Sequence, residues 1–68
     1  MFDFKIVETK GRFVLVEVSD ETNAIRFEAF KGDSCWKPTK NGLEQLNNKI
    51  ENKTILRRLL TAFKLWNN

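Results

Sequence analysis

The sequence predicts an α+β domain: an antiparallel meander of three to four strands, followed by a C-terminal helix, assembled as a homodimer. Three observations predict it. Apolar residues alternate with a period of two between Phe2 and Phe30. Turn-forming residues interrupt that alternation at Lys10-Gly11 and again across Ser19–Asn23. From Leu43 onward the apolar spacing lengthens to three and four, the period of a helix with one buried face.

The first strand is expected over Phe2–Thr9. Phe2, Phe4 and Ile6 point one way there, and Asp3 and Lys5 the other. Lys10-Gly11 makes a tight turn into Arg12–Val18. That second strand is apolar on both faces, with Val14, Val16 and Val18 on one and Phe13 and Leu15 on the other. Such a strand is central, or lies between a core and an interface. The polar run Ser19–Asn23 is the next turn. In the third strand, Ala24–Phe30, Ile25, Phe27 and Ala29 oppose Arg26, Glu28 and Phe30. Short turns between three such strands make a meander.

Lys31–Gly42 is read as irregular, and Pro38 bars a central-strand position within it. Beyond it, Leu43, Leu46 and Ile50 lead into Ile55, Leu56, Leu59, Leu60, Phe63 and Trp66. Two divisions of this segment stay open. Gly42–Leu46 is a short fourth strand and a helix runs from Asn47 or Asn48, either of which can cap it, to Trp66; or one helix spans Leu43–Trp66. The first gives one domain over 1–68, with strands and loop in 1–46 and the helix in 47–66. A sheet with one helix leaves its other face bare, and Phe13, Leu15 and Phe30 lie there. An apolar patch of that kind implies a partner or a ligand.

Length and composition narrow the function. A chain of 68 residues buries a marginal core, and small domains are commonly reinforced by disulfides, metal or a second chain. Cys35 is the only cysteine and histidine is absent. An internal disulfide is therefore impossible and structural zinc is not expected. Association is the remaining reinforcement. The opening residues do not read as a signal peptide, and no apolar run reaches membrane-spanning length, so a cytoplasmic protein is expected. No catalytic residues and no cofactor are expected: Ser19 and Ser34 lack a base, and Asp20-Glu21 sits in a turn where carboxylates are solvated. Cys35 reads as a partly buried small hydrophobe.

Net charge is +3, and residues 43–68 carry a balance of +3 by themselves. Two segments are candidate phosphate contacts. Around Phe30 and Trp36 stand Lys31, Lys37 and Lys40. Aromatic faces interleaved with cations are what single-stranded nucleic acid requires, bases stacking on rings and lysines tracking the backbone. The plainer alternative has Trp36 covering the sheet edge and the lysines solubilising the loop. The second segment is Lys49, Lys53 and Arg57 at a spacing of four. It reads more simply as the solvated side of an amphipathic helix.

The order of these features resembles the PC4-like family, single-stranded-DNA-binding domains of the transcriptional-coactivator type, in its short prokaryotic and phage versions. The resemblance rests on Lys37-Pro38-Thr39-Lys40-Asn41-Gly42-Leu43, with Asn41 in place of a second lysine, and on Arg12-Phe13-Val14-Leu15-Val16. It spans about Phe4 to Leu60. Glu28 stands where the family's third strand carries arginine. The resemblance implies a curved four-stranded sheet with one helix. It also implies a homodimer formed through helices and strand faces, and sequence-independent binding of single-stranded DNA, or RNA, in transcription, replication or repair. Lys37 and Lys40 would meet phosphates, assisted by Lys10 and Arg12, while Phe30 and Trp36 would stack on bases. The alternative function is a phage-type interaction module or inhibitor that holds a host protein on the bare apolar face. The acids in the strands, Glu28 above all, favour it.

Overall fold

The computed structural model describes residues 2–67. Four strands, β1 (Asp3–Lys10), β2 (Phe13–Ser19), β3 (Ala24–Lys31) and β4 (Trp36–Pro38), form one antiparallel sheet in chain order. Two helices follow, α1 (Lys40–Lys49) and α2 (Lys53–Lys64). The antiparallel meander followed by C-terminal helical structure is therefore as the sequence predicts, whereas the place of the fourth strand and the bounds of the helical segment differ.

Each turn follows from its residues. Lys10 pairs with Phe13, so Gly11 and Arg12 form a two-residue hairpin loop. Gly11 takes φ +62° and is the only residue with positive φ among those described. That is the pattern of a type II′ turn, whose first central position favours glycine. In the next turn Asp20 Oδ1 accepts from the backbone N–H groups of Thr22 (2.9 Å) and Asn23 (2.8 Å). The aspartate side chain substitutes for a backbone acceptor, as it does in Asx turns.

The β1–β2 register shifts between Ile6 and Glu8, leaving Val7 unopposed in a β-bulge. The bulge resets the alternation of β1. Phe4, Ile6 and Thr9 face the side of the sheet that carries Val14, Val16 and Val18, whereas Asp3, Lys5, Glu8 and Lys10 face the other.

Both helices lie on the Val16 side. The core is Val16, Val18, Phe27, Ala29 and Trp36 from the sheet, Leu46 and Ile50 from the first helical segment, and Leu56, Leu59 and Phe63 from α2. Phe63 is fully buried and central. Its ring meets Phe27 edge-on at 5.0 Å between centroids, Phe4 at 5.1 Å, and Trp36 and Trp66 at 5.9 Å. Tilted and edge-on pairs satisfy the ring quadrupoles and add to the area buried.

Of the two readings open for Gly42–Leu46, the strand does not form: these residues lie inside α1, and the fourth strand is Trp36–Pro38, within the segment read as irregular. Pro38 is tolerated there because β4 is an edge strand. Thr39 ends the strand and caps the helix, its Oγ1 accepting from Gly42 N at 3.0 Å. α1 then runs against β3, where a longer β4 would have run. Glu28 of β3 accepts from Thr39 N (3.1 Å) through its carbonyl and donates from its N–H to Gln45 Oε1 (2.9 Å). The β3 edge is thus closed by helix side chains.

Neither a helix over 47–66 nor one over Leu43–Trp66 forms. The chain breaks at Ile50-Glu51-Asn52, where Ile50 is extended and buried. Asn52, not Asn47 or Asn48, caps α2, its Oδ1 accepting from Thr54 N (2.9 Å) and Ile55 N (3.2 Å). The break also splits the Lys49, Lys53, Arg57 series between two helices. No helix of the described residues is long and apolar enough to cross a membrane.

Candidate nucleic-acid interface

The two helices cover one face of the sheet and leave the other bare. Pairing registers place side chains on that outer face in transverse rows. Lys5, Glu17 and Arg26 form the middle row. Glu17 takes Lys5 Nζ at 3.4 Å and Arg26 Nε at 3.1 Å, so one carboxylate ties three strands together. The Arg26 hydrogen bond first, with Lys5 behind it, holds the Glu17 carboxyl below its ordinary range despite some desolvation. Exposed pairs of this kind contribute little stability. Their effect is on charge, since the central acid of the face is matched by two cations.

The next row holds Glu8, Leu15 and Glu28. Glu28 Oε1 accepts from Thr39 Oγ1 at 2.7 Å, which draws this acid toward the start of α1. Helix N-termini favour negative charge.

The row at the hairpin end combines aromatic and cationic side chains. Lys10 stands opposite Phe13, and Phe30 opposite Lys37. Val14 faces Ala29, so one step further along the ladder Phe13 and Phe30 occupy facing positions. Four adjacent strands therefore present lysine, phenylalanine, phenylalanine, lysine, with no acid in the row. Phe13 is 41% exposed and Phe30 half-buried. Arg12, exposed in the hairpin loop, adds a third cation at the same end.

Among the expected contacts, Lys10, Phe30 and Lys37 are brought together, with Arg12 at the margin. Lys40 is exposed on the first residue of α1, beyond the row. Trp36 is a correction. It is only 6% exposed and packs at 5.2 Å from Trp66 and 5.9 Å from Phe63, so its ring faces are taken by the core. Parity explains this: Trp36 pairs with Lys31, one step from Phe30–Lys37, and so points to the opposite face. Lys31 follows it, with Nζ 6.0 Å from the Trp36 ring centroid. Phe13 is the row member that the sequence places in an apolar patch but not among the candidate contacts. Its signal was the alternation of β2 combined with the two-residue hairpin, which fixes it opposite Lys10.

A separate open groove of about 440 Å³ lies at the other end of the sheet, lined by Phe2, Val18, Ile25, Ile50, Asn52 and Ile55 among others. Its charged lining residues are Asp20, Lys49 and Glu51. Comparison with protein-family models, with curated proteins and with solved structures finds no match to this chain.

Proposed function

We propose that the chain is a single-stranded nucleic-acid-binding protein, of DNA by its resemblance to PC4-like domains, acting through the outer face of its sheet and without sequence preference. The observation that carries this reading is the row Lys10, Phe13, Phe30, Lys37. Two ring faces accept successive bases while a lysine at each end meets phosphate, and stacking is indifferent to base identity because every base has a π-face. A net charge of +3 supplies a modest attractive field. The test is fluorescence anisotropy with a labelled oligonucleotide of about 20 nucleotides, repeated across a salt series. Binding that weakens linearly in log salt, and that is lost in Phe13→Ala with Phe30→Ala, supports the reading. Absence of binding at low salt by folded protein sinks it.

One observation favours a second reading, a surface for a protein partner. The adjacent row, Glu8, Leu15 and Glu28, puts two acids beside the aromatic row. Nuclease-resistant capture of a defined host protein, abolished by Phe13→Ala, is the outcome expected from that alternative.

A further inference from the structure

The sheet has two edges, and they are treated differently. Beyond β3, short β4 and α1 close the edge. On the other side β1 is open over eight residues, Asp3–Lys10. An open edge offers unpaired backbone donors and acceptors to another strand, and charged side chains or a bulge commonly discourage that.

Here the charges have an order that selects one partner. Along the outer face of β1 they read Asp3, Lys5, Glu8, Lys10, alternating in sign. All four share that face only because Val7 is bulged. Without the bulge, Lys5 and Glu8, three residues apart, would point to opposite faces. The series is complementary to itself when reversed. Laid antiparallel about a two-fold axis perpendicular to the sheet between Ile6 and Val7, two copies set Asp3 opposite Lys10 and Lys5 opposite Glu8, each twice. A slip by two in one direction sets Asp3 against Glu8, and in the other Lys5 against Lys10. Like charges directly opposite are destabilising, so both slips are disfavoured.

We infer that β1 pairs with β1 of a second copy of this chain, joining two sheets into one of eight strands. The remaining side chains fit this. Lys5 is 69% exposed although it pairs with Glu17, and so has room for a second carboxylate. Ile6, 37% exposed on the helix-bearing side, sits beside the axis, where the two copies cover each other's apolar surface. The inference rests on β1 alone and is independent of whether the outer face binds nucleic acid.

The test is sedimentation equilibrium of the full chain from roughly 10 μM to 1 mM in low salt, a range that brackets weak self-association. A dimer that loosens with added salt is expected. Glu8→Lys places a cation opposite Lys5 on both sides of the axis and raises the dissociation constant by about tenfold or more. Glu8 makes no ion pair among the described residues, so the fold, followed by circular dichroism, is retained. Asp3→Lys weakens the dimer in the same way, and combining it with Lys10→Asp restores it. A wild-type chain that stays monomeric across the range overturns the inference. So does a dimer that neither Glu8→Lys nor Asp3→Lys weakens.

Discussion

Gly42, in the first turn of α1, lies so close to the carbonyl of Glu28 in β3 that a Cβ on Gly42 would overlap the carbonyl oxygen. Helix and strand backbones are in direct contact there, beside the bonds that Thr39 and Gln45 make to Glu28. Glycine is required for space, not for an unusual φ, because Gly42 is helical. Gly42→Ala is therefore expected to destabilise the chain by about 2–3 kcal/mol, as overpacking against rigid backbone does. A urea melt measures it, and a midpoint equal to wild type would mean that α1 moves freely off β3.

Asn52 caps α2 with its side chain. Asn52→Ala leaves the N–H groups of Thr54 and Ile55 to water and is expected to cost about 1 kcal/mol, while Asn52→Asp or Asn52→Ser should be nearly neutral. Thermal denaturation of the three variants checks the order.

Trp36 buries an indole N–H that finds no partner among the described residues. An unpaired buried donor costs about 1–3 kcal/mol, and phenylalanine removes it. Trp36→Phe is thus expected to fall within about 1 kcal/mol of wild type despite its smaller volume, the relieved penalty offsetting lost contacts. Trp36→Ala, which leaves a cavity beside Phe63 and Trp66, should cost about 3–5 kcal/mol.

Acid should weaken the fold chiefly through Asp20, with Glu17 adding little. Hydrogen bonds from Thr22 N–H and then Asn23 N–H hold the Asp20 carboxyl below its ordinary value of 3.8. Arg26 and Lys5 hold Glu17 below 4.5. A carboxyl depressed in the folded state contributes stability that is complete above its unfolded value and disappears as pH falls through the folded one. Asp20→Asn is accordingly expected to be less stable than wild type near neutrality, and the gap should close as pH drops below 3.8. Chemical denaturation at stepped pH reads this directly. A gap that persists in acid would place the effect in packing instead of charge.

On the proposed interface, rings and lysines should separate cleanly. Phe13→Ala or Phe30→Ala weakens oligonucleotide binding by about 1–3 kcal/mol and leaves the salt dependence unchanged. Lys37→Ala removes one phosphate contact and lowers the slope of log affinity against log salt by about 0.7, the single-strand value. Lys31→Ala, on the far face, should alter neither. Anisotropy titrations at three salt concentrations distinguish these outcomes.

The meander was legible because its signals are local. Alternation in β2 and β3, Gly11 in the first hairpin and Asp20 in the second are each set by neighbours in sequence. The C-terminal half was harder for a physical reason. The apolar series steps from Ile50 to Ile55, five residues, a phase break that one helix cannot carry on one face, and Asn52 stands in the gap ready to cap. Gly42–Leu46 fits either a strand or a helix by its own pattern; Gly42 packs on Glu28 only if the segment coils, and that contact spans distant parts of the chain. In the candidate site, Lys10, Phe30 and Lys37 could be found from composition. Deciding that Trp36 turns inward while Phe13 turns outward required the register of β3 with β4, which no local pattern encodes.

A sheet whose spatial order equals its chain order has a kinetic consequence. Loops of two and four residues close all three ladders, at Gly11-Arg12, Asp20–Asn23 and Gly32–Cys35. The entropy lost in forming each hairpin is therefore small, and topologies so rich in short-range pairing fold quickly. The costly closure is the return of α2, whose Phe63 must find Phe4 across nearly the whole length of the chain. Assembly should then run as a zipper of hairpins sealed by one late docking event. Truncating Phe63 would chiefly hasten unfolding, whereas truncating Val16 or Phe27 would slow the search itself.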